Sequence, residues 1–184
     1  MPLEHAILAF LGYSPMTGYD LKKFFDNSVA HFWTATQSHI YKALGELEAK
    51  GWVQKELVQQ DDLPNRKEYH ITEAGRAELR TWLSTPLRPE PVRSAWLIQI
   101  FFAHGLQNEE IARVLEARRD MMRERIHTYQ TSGQSYLDAN ASDVPERIRT
   151  LWQITLDYGI RSYQDEIVWL DETIARVLSL PPID

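Results

Sequence analysis

Residues 34–51 read TATQSHIYKALGELEAKG, and the segments after them, WVQKELV at 52–58 and RKEYHI at 66–71, change the period of the chain. In the first stretch Thr34 is placed to cap a helix, with Gln37 three residues on to complete a capping box. Ile40, Leu44 and Leu47 then recur at helical spacing and form one apolar stripe. Gly51 suits the left-handed residue that ends a helix. The opposite face presents Ser38, Tyr41, Lys42 and Gly45. Beyond Gly51, Trp52–Val58 has strand-like ends, and Arg66–Ile71 alternates charged with apolar residues. Between them QQDDLPN carries the Pro and Asn of a turn, so the segment predicts a β-hairpin with a polar tip at Asp61-Asp62.

Upstream, residues 3–12 carry Leu3, Ile7, Leu8, Phe10 and Leu11 on a wide apolar face. Ser14-Pro15-Met16 breaks that helix. Thr17 with Asp20 forms a second capping box for a helix over about 18–27 that buries Leu21, Phe24 and Phe25. Downstream, Thr72 caps a helix over about 73–84, with Ala74, Ala77, Leu79 and Leu83 facing inward. Three helices followed by a two-stranded hairpin is the order of a winged helix-turn-helix, assigned to residues 1–84.

TPLRPEPVR at 85–93 holds three prolines in nine positions and reads as a linker. Residues 94–184 predict a purely helical second domain. Ser94–His104 places Trp96, Leu97, Ile100 and Phe101 on one face. Asn108 caps a helix running to about 138, with Leu115, Met122, Tyr129 and Tyr136 seven residues apart. Asp143 and Glu146 form a third capping box, with Pro145 in the first turn. The last helix, about 144–179, carries a near-heptad stripe that includes Trp152, Leu156, Tyr163, Ile167 and Leu170. At about 1.5 Å per residue it spans roughly 50 Å. That length overhangs a domain of about 100 residues, so this stripe is the expected interface with a second copy of the chain. The fold class is mainly α.

Composition limits the chemistry. The chain has no cysteine, which removes disulfides and thiolate metal sites. Its six histidines (5, 31, 39, 70, 104 and 127) never fall at metal-ligand spacing, and no metal or cofactor is expected. There is no nucleophile elbow, zinc-protease helix or phosphate-binding glycine loop, so an enzyme is not expected. No signal peptide and no apolar run long enough for a membrane span appear, which fits a cytoplasmic protein. The net charge is −6. The first 84 residues carry 9 basic and 11 acidic groups, yet they hold all six lysines. A nucleic-acid contact would therefore have to come from a local patch.

Such a patch is available. In a winged helix the third helix enters the major groove and the hairpin lies along the backbone. Gln37, Ser38, His39, Tyr41 and Lys42 supply donors and acceptors at the start of that helix. Lys22 and Lys23 on the second helix, with Arg66 and Lys67 at the base of the wing, are placed for phosphates. Taken alone, each of these is also an ordinary solvated face; the order of elements is what joins them. The remaining alternative is a winged helix that binds protein and not DNA, which the net negative charge favours.

Ser38-His39-Ile40-Tyr41-Lys42-Ala43-Leu44, then Leu47-Glu48 and Gly51, resembles the recognition segment of the PadR family of transcription regulators. So do Gly18-Tyr19-Asp20-Leu21, Phe32-Trp33, Arg66-Lys67-Glu68-Tyr69 and Ile71-Thr72-Glu73-Ala74-Gly75-Arg76. The motifs cover residues 3–84 in order. The second half resembles, by length and helix pattern, the helical extension of the larger, phenolic-acid-sensing members. The resemblance implies a homodimer on an inverted-repeat DNA operator, usually as a repressor, released by a small molecule. By motif match it places Tyr19, Ser38, His39 and Tyr41 in the DNA-facing region, and Arg66 and Lys67 in the wing. Lys42 departs from the proline usual there and adds a charge to the groove face. Candidate effector residues are Phe32, Trp33, Trp96, Trp152 and Tyr158, with Arg161 or His104 to pair with a carboxylate. Tyr163 and Trp169 belong to the same aromatic set, although aromatics at helical spacing are also ordinary core. The expected effector is a small aromatic molecule of the phenolic-acid kind.

Overall fold

The computed structural model describes residues 2–30, 32–59, 66–89, 91, 93–139 and 144–183. It forms two compact units, Met1–Pro89 and Glu90–Asp184. Among the described residues no helix is long and apolar enough to cross a membrane.

In the first unit α1 (Pro2–Tyr13), α2 (Gly18–Ser28) and α3 (Gln37–Ala49) pack around one core, with α4 (Glu73–Ser84) against α1. Ile7, Leu8, Leu21, Ile40, Leu44 and Leu47 are fully buried, as their helical spacing predicts. Phe24 does not join them; it is 41% exposed, with its ring 6.1 Å from that of Phe10. On α4, Ala74, Ala77 and Leu83 face solvent and only Leu79 reaches the core.

The start of α3 differs from the sequence expectation. Trp33 N–H donates to the Val29 carbonyl at 2.8 Å, closing a turn, and Ala35 is buried next. The chain therefore stays extended through Thr36, whose hydroxyl, not that of Thr34, accepts from His39 N–H at 3.2 Å. Gln37 is the first helical residue and closes no box. Gly51, at φ 71°, makes the left-handed turn after α3, a conformation that a Cβ disfavours.

β2 (Val53–Val58) and β3 (Arg66–Ile71) pair antiparallel from Val53 opposite Ile71 to Val58 opposite Arg66. A third strand, β1 (Met16–Thr17), adds to β3 through Met16 opposite Tyr69 and Thr17 opposite Glu68. Two residues are too few to show a period, so only the hairpin was readable. Asp61-Asp62 at the expected tip lie outside the described residues.

In the second unit α5 (Ala95–Phe101) leads through a short 3₁₀ turn to α6 (Asn108–Thr128), a π-helical turn over Tyr129–Gly133, α7 (Gln134–Ala139) and α8 (Glu146–Leu178). Gln107, not Asn108, is the cap residue of α6: Glu110 Oε2 accepts from Gln107 N–H at 2.9 Å, and Glu110 N–H donates to the Gln107 carbonyl at 3.0 Å. Asn108 is used otherwise, donating to the Leu180 carbonyl at 2.7 Å and tying the start of α6 to the end of α8. The proposed cap Asp143 lies outside the described residues, and Pro145 occupies the cap position of α8 with no side-chain cap bond.

The π turn interrupts the single helix expected over 108–138. There Tyr129 is buried with its hydroxyl 3.4 Å from that of Tyr163. Burial and then the Tyr163 contact push the Tyr129 hydroxyl well above its ordinary pKa. At Gly133 a Cβ would stand 2.9 Å from Leu156 Cδ1.

α6, the π turn and α7 together run nearly the length of α8 and cover its apolar stripe. Leu170 is fully buried with Leu115, Ile111 and Met122, with Tyr163 and Ile167 packed against that cluster. Leu156 is 3% exposed and Trp152 half-buried. Of the stripe expected to meet a partner, Leu156 and Leu170 are thus covered from within the chain, while Trp152, Tyr163 and Ile167 are half-buried. The large apolar residues that α8 leaves exposed are Leu151, Ile154, Tyr158, Val168, Trp169 and Leu178.

Candidate nucleic-acid interface

The N-terminus of α2 is held by a complete capping box. Thr17 Oγ1 accepts from Asp20 N–H at 3.1 Å, and Asp20 Oδ2 accepts from Thr17 N–H at 3.2 Å. This fixes Gly18 as the first residue of α2, buried under the ring of Tyr41 from α3. The next residue, Tyr19, is 66% exposed. Gln37, Ser38 and His39 are exposed along the first turn of α3, followed by Tyr41 and Lys42. The side chains predicted to read a groove therefore share one solvent-facing edge of α3, whose other edge carries the buried Ile40–Leu44–Leu47 stripe.

The cations divide into two sets. Lys22 pairs with Asp26 one turn along α2, Lys42 approaches Glu46 at 4.0 Å, and Arg66 pairs with Glu68. Lys50 bonds the buried Glu4 at 2.8 Å and lies over Trp52, and Lys55 pairs with Glu48 at 3.0 Å. Among the described residues, Lys23 and Lys67 are exposed with no carboxylate partner. The i,i+4 spacing of Lys22 with Asp26 and of Lys42 with Glu46 was readable in the sequence. The Arg66–Glu68 pair on one face of β3 was equally legible from the two-residue period.

The candidate effector residues fall in both units, and those of the second unit are spread along its helices. In the first unit Trp33 packs on the core and Phe32 is exposed. In the second, Trp96 meets Trp169 edge to face at 5.7 Å, with the Arg118 guanidinium 4.0 Å over its ring. Arg118 also pairs with Glu166. Ser94, Trp96, Leu97, Arg118, Glu166 and Trp169 line an open cleft of about 480 Å³. Tyr158 and Trp152 lie 11 and 17 residues back along α8, roughly 16 and 25 Å from Trp169. Arg161 is 82% exposed at its side chain and faces Asp165 at 3.8 Å. Arg118, absent from the sequence-based set, is the cation that meets these aromatics; nothing in the sequence marks its contact across two helices.

Comparison with known proteins places both units. The family model described as Transcriptional regulator PadR-like family matches residues 7–81, and that described as Virulence activator alpha C-term matches residues 92–177. A probable transcriptional regulator of Mycobacterium tuberculosis, Rv1176c, is 33% identical over 94% of this chain and 95% of its own. The negative transcriptional regulator PadR of Bacillus subtilis is 25% identical over 95% of this chain and 97% of its own. Its structure in complex with operator DNA shares the fold at a TM-score of 0.80, with 24% identity over 96% of this chain and 99% of that one. The Vibrio cholerae virulence activator AphA superposes at 0.72, with 27% identity over 95% of this chain and 97% of that one. B. subtilis PadR has also been solved in complex with p-coumaric acid, at a TM-score of 0.76, with 23% identity over 95% of this chain and 98% of that one. This chain, a winged helix followed by a helical C-terminal unit, belongs to the PadR family of transcriptional regulators.

Proposed function

We propose that this protein is a repressor that binds an inverted-repeat DNA operator as a homodimer and leaves it when a small aromatic molecule binds. The observation that carries the reading is the outward edge of α3, where Gln37, Ser38, His39, Tyr41 and Lys42 are all exposed beside Tyr19. Lys23 and Lys67 are exposed, and as phosphate ligands they need give up no ion pair. The B. subtilis relative crystallised on operator DNA supports the same use of the fold. One winged helix reads too few base pairs for a specific site, and a two-fold pair doubles the contacts. The exposed apolar residues of α8, with Ile98, Phe101 and Phe102 at α5, offer surface for that pairing. The p-coumaric acid complex supports an aromatic effector. Within the C-terminal unit the Trp96–Trp169 corner sets an aromatic surface against a cation, Arg118.

The test is selection of bound duplexes from random DNA by the full chain, followed by Lys42→Ala with Arg66→Ala on the selected duplex. Loss of binding in the double variant is expected; undiminished binding rejects the site assignment. Release of the selected duplex by an aromatic acid, with quenching of tryptophan fluorescence, is the expected effector signature. The competing protein-interaction reading is favoured by the net charge and by the number of lysines already paired. It predicts no selected duplex and a gentle dependence of binding on salt.

A further inference from the structure

We infer that Gly18 is a positioning residue for base discrimination, a seat that sets where the Tyr41 ring lies on the reading edge of α3. The inference rests on the DNA-binding reading above. A Cβ built on Gly18 would stand 2.5 Å from Tyr41 Cε1, 2.7 Å from Cζ and 3.0 Å from the hydroxyl oxygen. The hydroxyl end of the ring therefore lies against the bare backbone at the first residue of α2, with no room for a methyl between them. Gly18 itself is immobilised, because Thr17 before it pairs with Glu68 in the sheet and closes the capping box with Asp20. Gly18 needs no special backbone angle: among the described residues Gly51 alone has a positive φ. What Gly18 supplies is the missing side chain.

The ring is the part that can yield. Tyr41 is 46% exposed, so a methyl at position 18 turns the ring outward and leaves the backbone in place. Alanine is also a better helix former than glycine, so the fold has no reason to suffer. The change thus moves a side chain at the DNA edge while sparing the core. Tyr41 follows Ser38 and precedes Lys42 on that edge, so its displacement alters base contacts, whereas Lys23 and Lys67 keep their phosphate role.

The experiment compares Gly18→Ala, Tyr41→Ala and the double variant on a duplex selected by the wild-type chain and on a duplex with its central bases scrambled. Gly18→Ala is expected to melt within a few degrees of the wild type. Its affinity for the selected duplex should fall roughly tenfold, within the range of one lost base contact, with little change on the scrambled duplex. In the Tyr41→Ala background the same substitution should cost nothing further, because the two residues act through one contact. Unchanged discrimination in Gly18→Ala overturns the inference, as does an equal loss with Tyr41 already removed. A wild-type chain that selects no duplex rejects the DNA-binding reading itself, and the absent selection tells that failure from a failed seat.

Discussion

Gly45 sits on the exposed edge of α3, one turn beyond Tyr41, and a Cβ there would meet no atom within 4 Å. Substituting alanine should push two observables in opposite directions. A glycine inside a helix costs about 0.5–1 kcal/mol relative to alanine, through the freedom it loses on folding. With nothing in the way of the added methyl, that amount returns as stability. For a domain of under about 100 residues it raises the melting temperature by roughly 2–8 °C. On the proposed docking of α3 in the groove, the same methyl would enter the space between the helix and the groove floor. Forcing an extra methyl into a packed contact costs about 1–3 kcal/mol, equivalent to roughly 5- to 150-fold in Kd. Thermal melting by circular dichroism reads the first effect, and fluorescence anisotropy on a selected duplex reads the second. A variant that is more stable and binds as tightly as the wild type refutes the docking of this face of α3. A variant that is less stable refutes the open geometry at Gly45.

Gly75 is the opposite case: its Cβ would stand 2.2 Å from the Trp52 carbonyl oxygen, which is backbone and is already engaged by Thr72 N–H. Gly75→Ala should destabilise the N-terminal unit by about 1–3 kcal/mol, seen as a lower melting temperature. Leu170→Ala, at a fully buried position of the C-terminal core, should cost about 2–5 kcal/mol, measured by urea unfolding. Burial alone would push the Glu4 carboxyl up, but the Lys50 hydrogen bond at 2.8 Å and the neighbouring charges outweigh it and hold its pKa below the ordinary value. A depressed folded-state pKa means stability that is present above the unfolded carboxylate value of about 4.3 and lost as pH falls through the lower folded value. Glu4→Gln should therefore melt below the wild type at neutral pH, with the gap closing below about pH 4; a gap that persists in acid contradicts the ion-pair account.

The order of elements was legible because each signal is local. Thr17 with Asp20, the Ile40–Leu44–Leu47 stripe, Gly51 and the alternation over Arg66–Ile71 all act within one turn or one strand. The misplaced caps show the limit of that locality. Thr34 and Thr36 both satisfy the residue preference, and only the burial of Ala35 decides between them. Asn108 is as good a cap as Gln107 until its contact with Leu180, 72 positions away, is known. The α8 stripe meets the same limit on a larger scale. A heptad pattern says that a face is covered and not whose helix covers it. The Tyr129–Gly133 π turn, which keeps α6 and α7 against α8, leaves no periodic trace. The site followed the same rule: the exposed edge of α3 was readable, while the Tyr41–Gly18 contact joins two helices and was not.

An acidic chain that binds DNA has to find its phosphate contacts locally, and the ion pairs at the interface make that a measurable question. If only Lys23 and Lys67 meet phosphates, the proposed dimer neutralises about four, and the slope of log K against log salt is about −3.6. Binding then weakens roughly 150-fold between 50 and 200 mM salt on that slope. If Lys42 and Arg66 also leave Glu46 and Glu68 for the backbone, about eight phosphates are met. The slope doubles, and the loss over the same interval becomes roughly 2 × 10⁴-fold. The geometry favours release at Lys42, whose ammonium is 4.0 Å from Glu46 with 78% of its side chain exposed, since such a pair is worth little. Arg66 holds Glu68 more closely, and Glu68 is only 18% exposed at its side chain, so opening that pair leaves a carboxylate partly desolvated. An intermediate slope of about −5.4, from six phosphates, is therefore expected. It should fall to about −3.6 in Lys42→Ala and remain unchanged in Arg66→Ala; a change in the second variant and not the first would reverse the assignment of which pair opens.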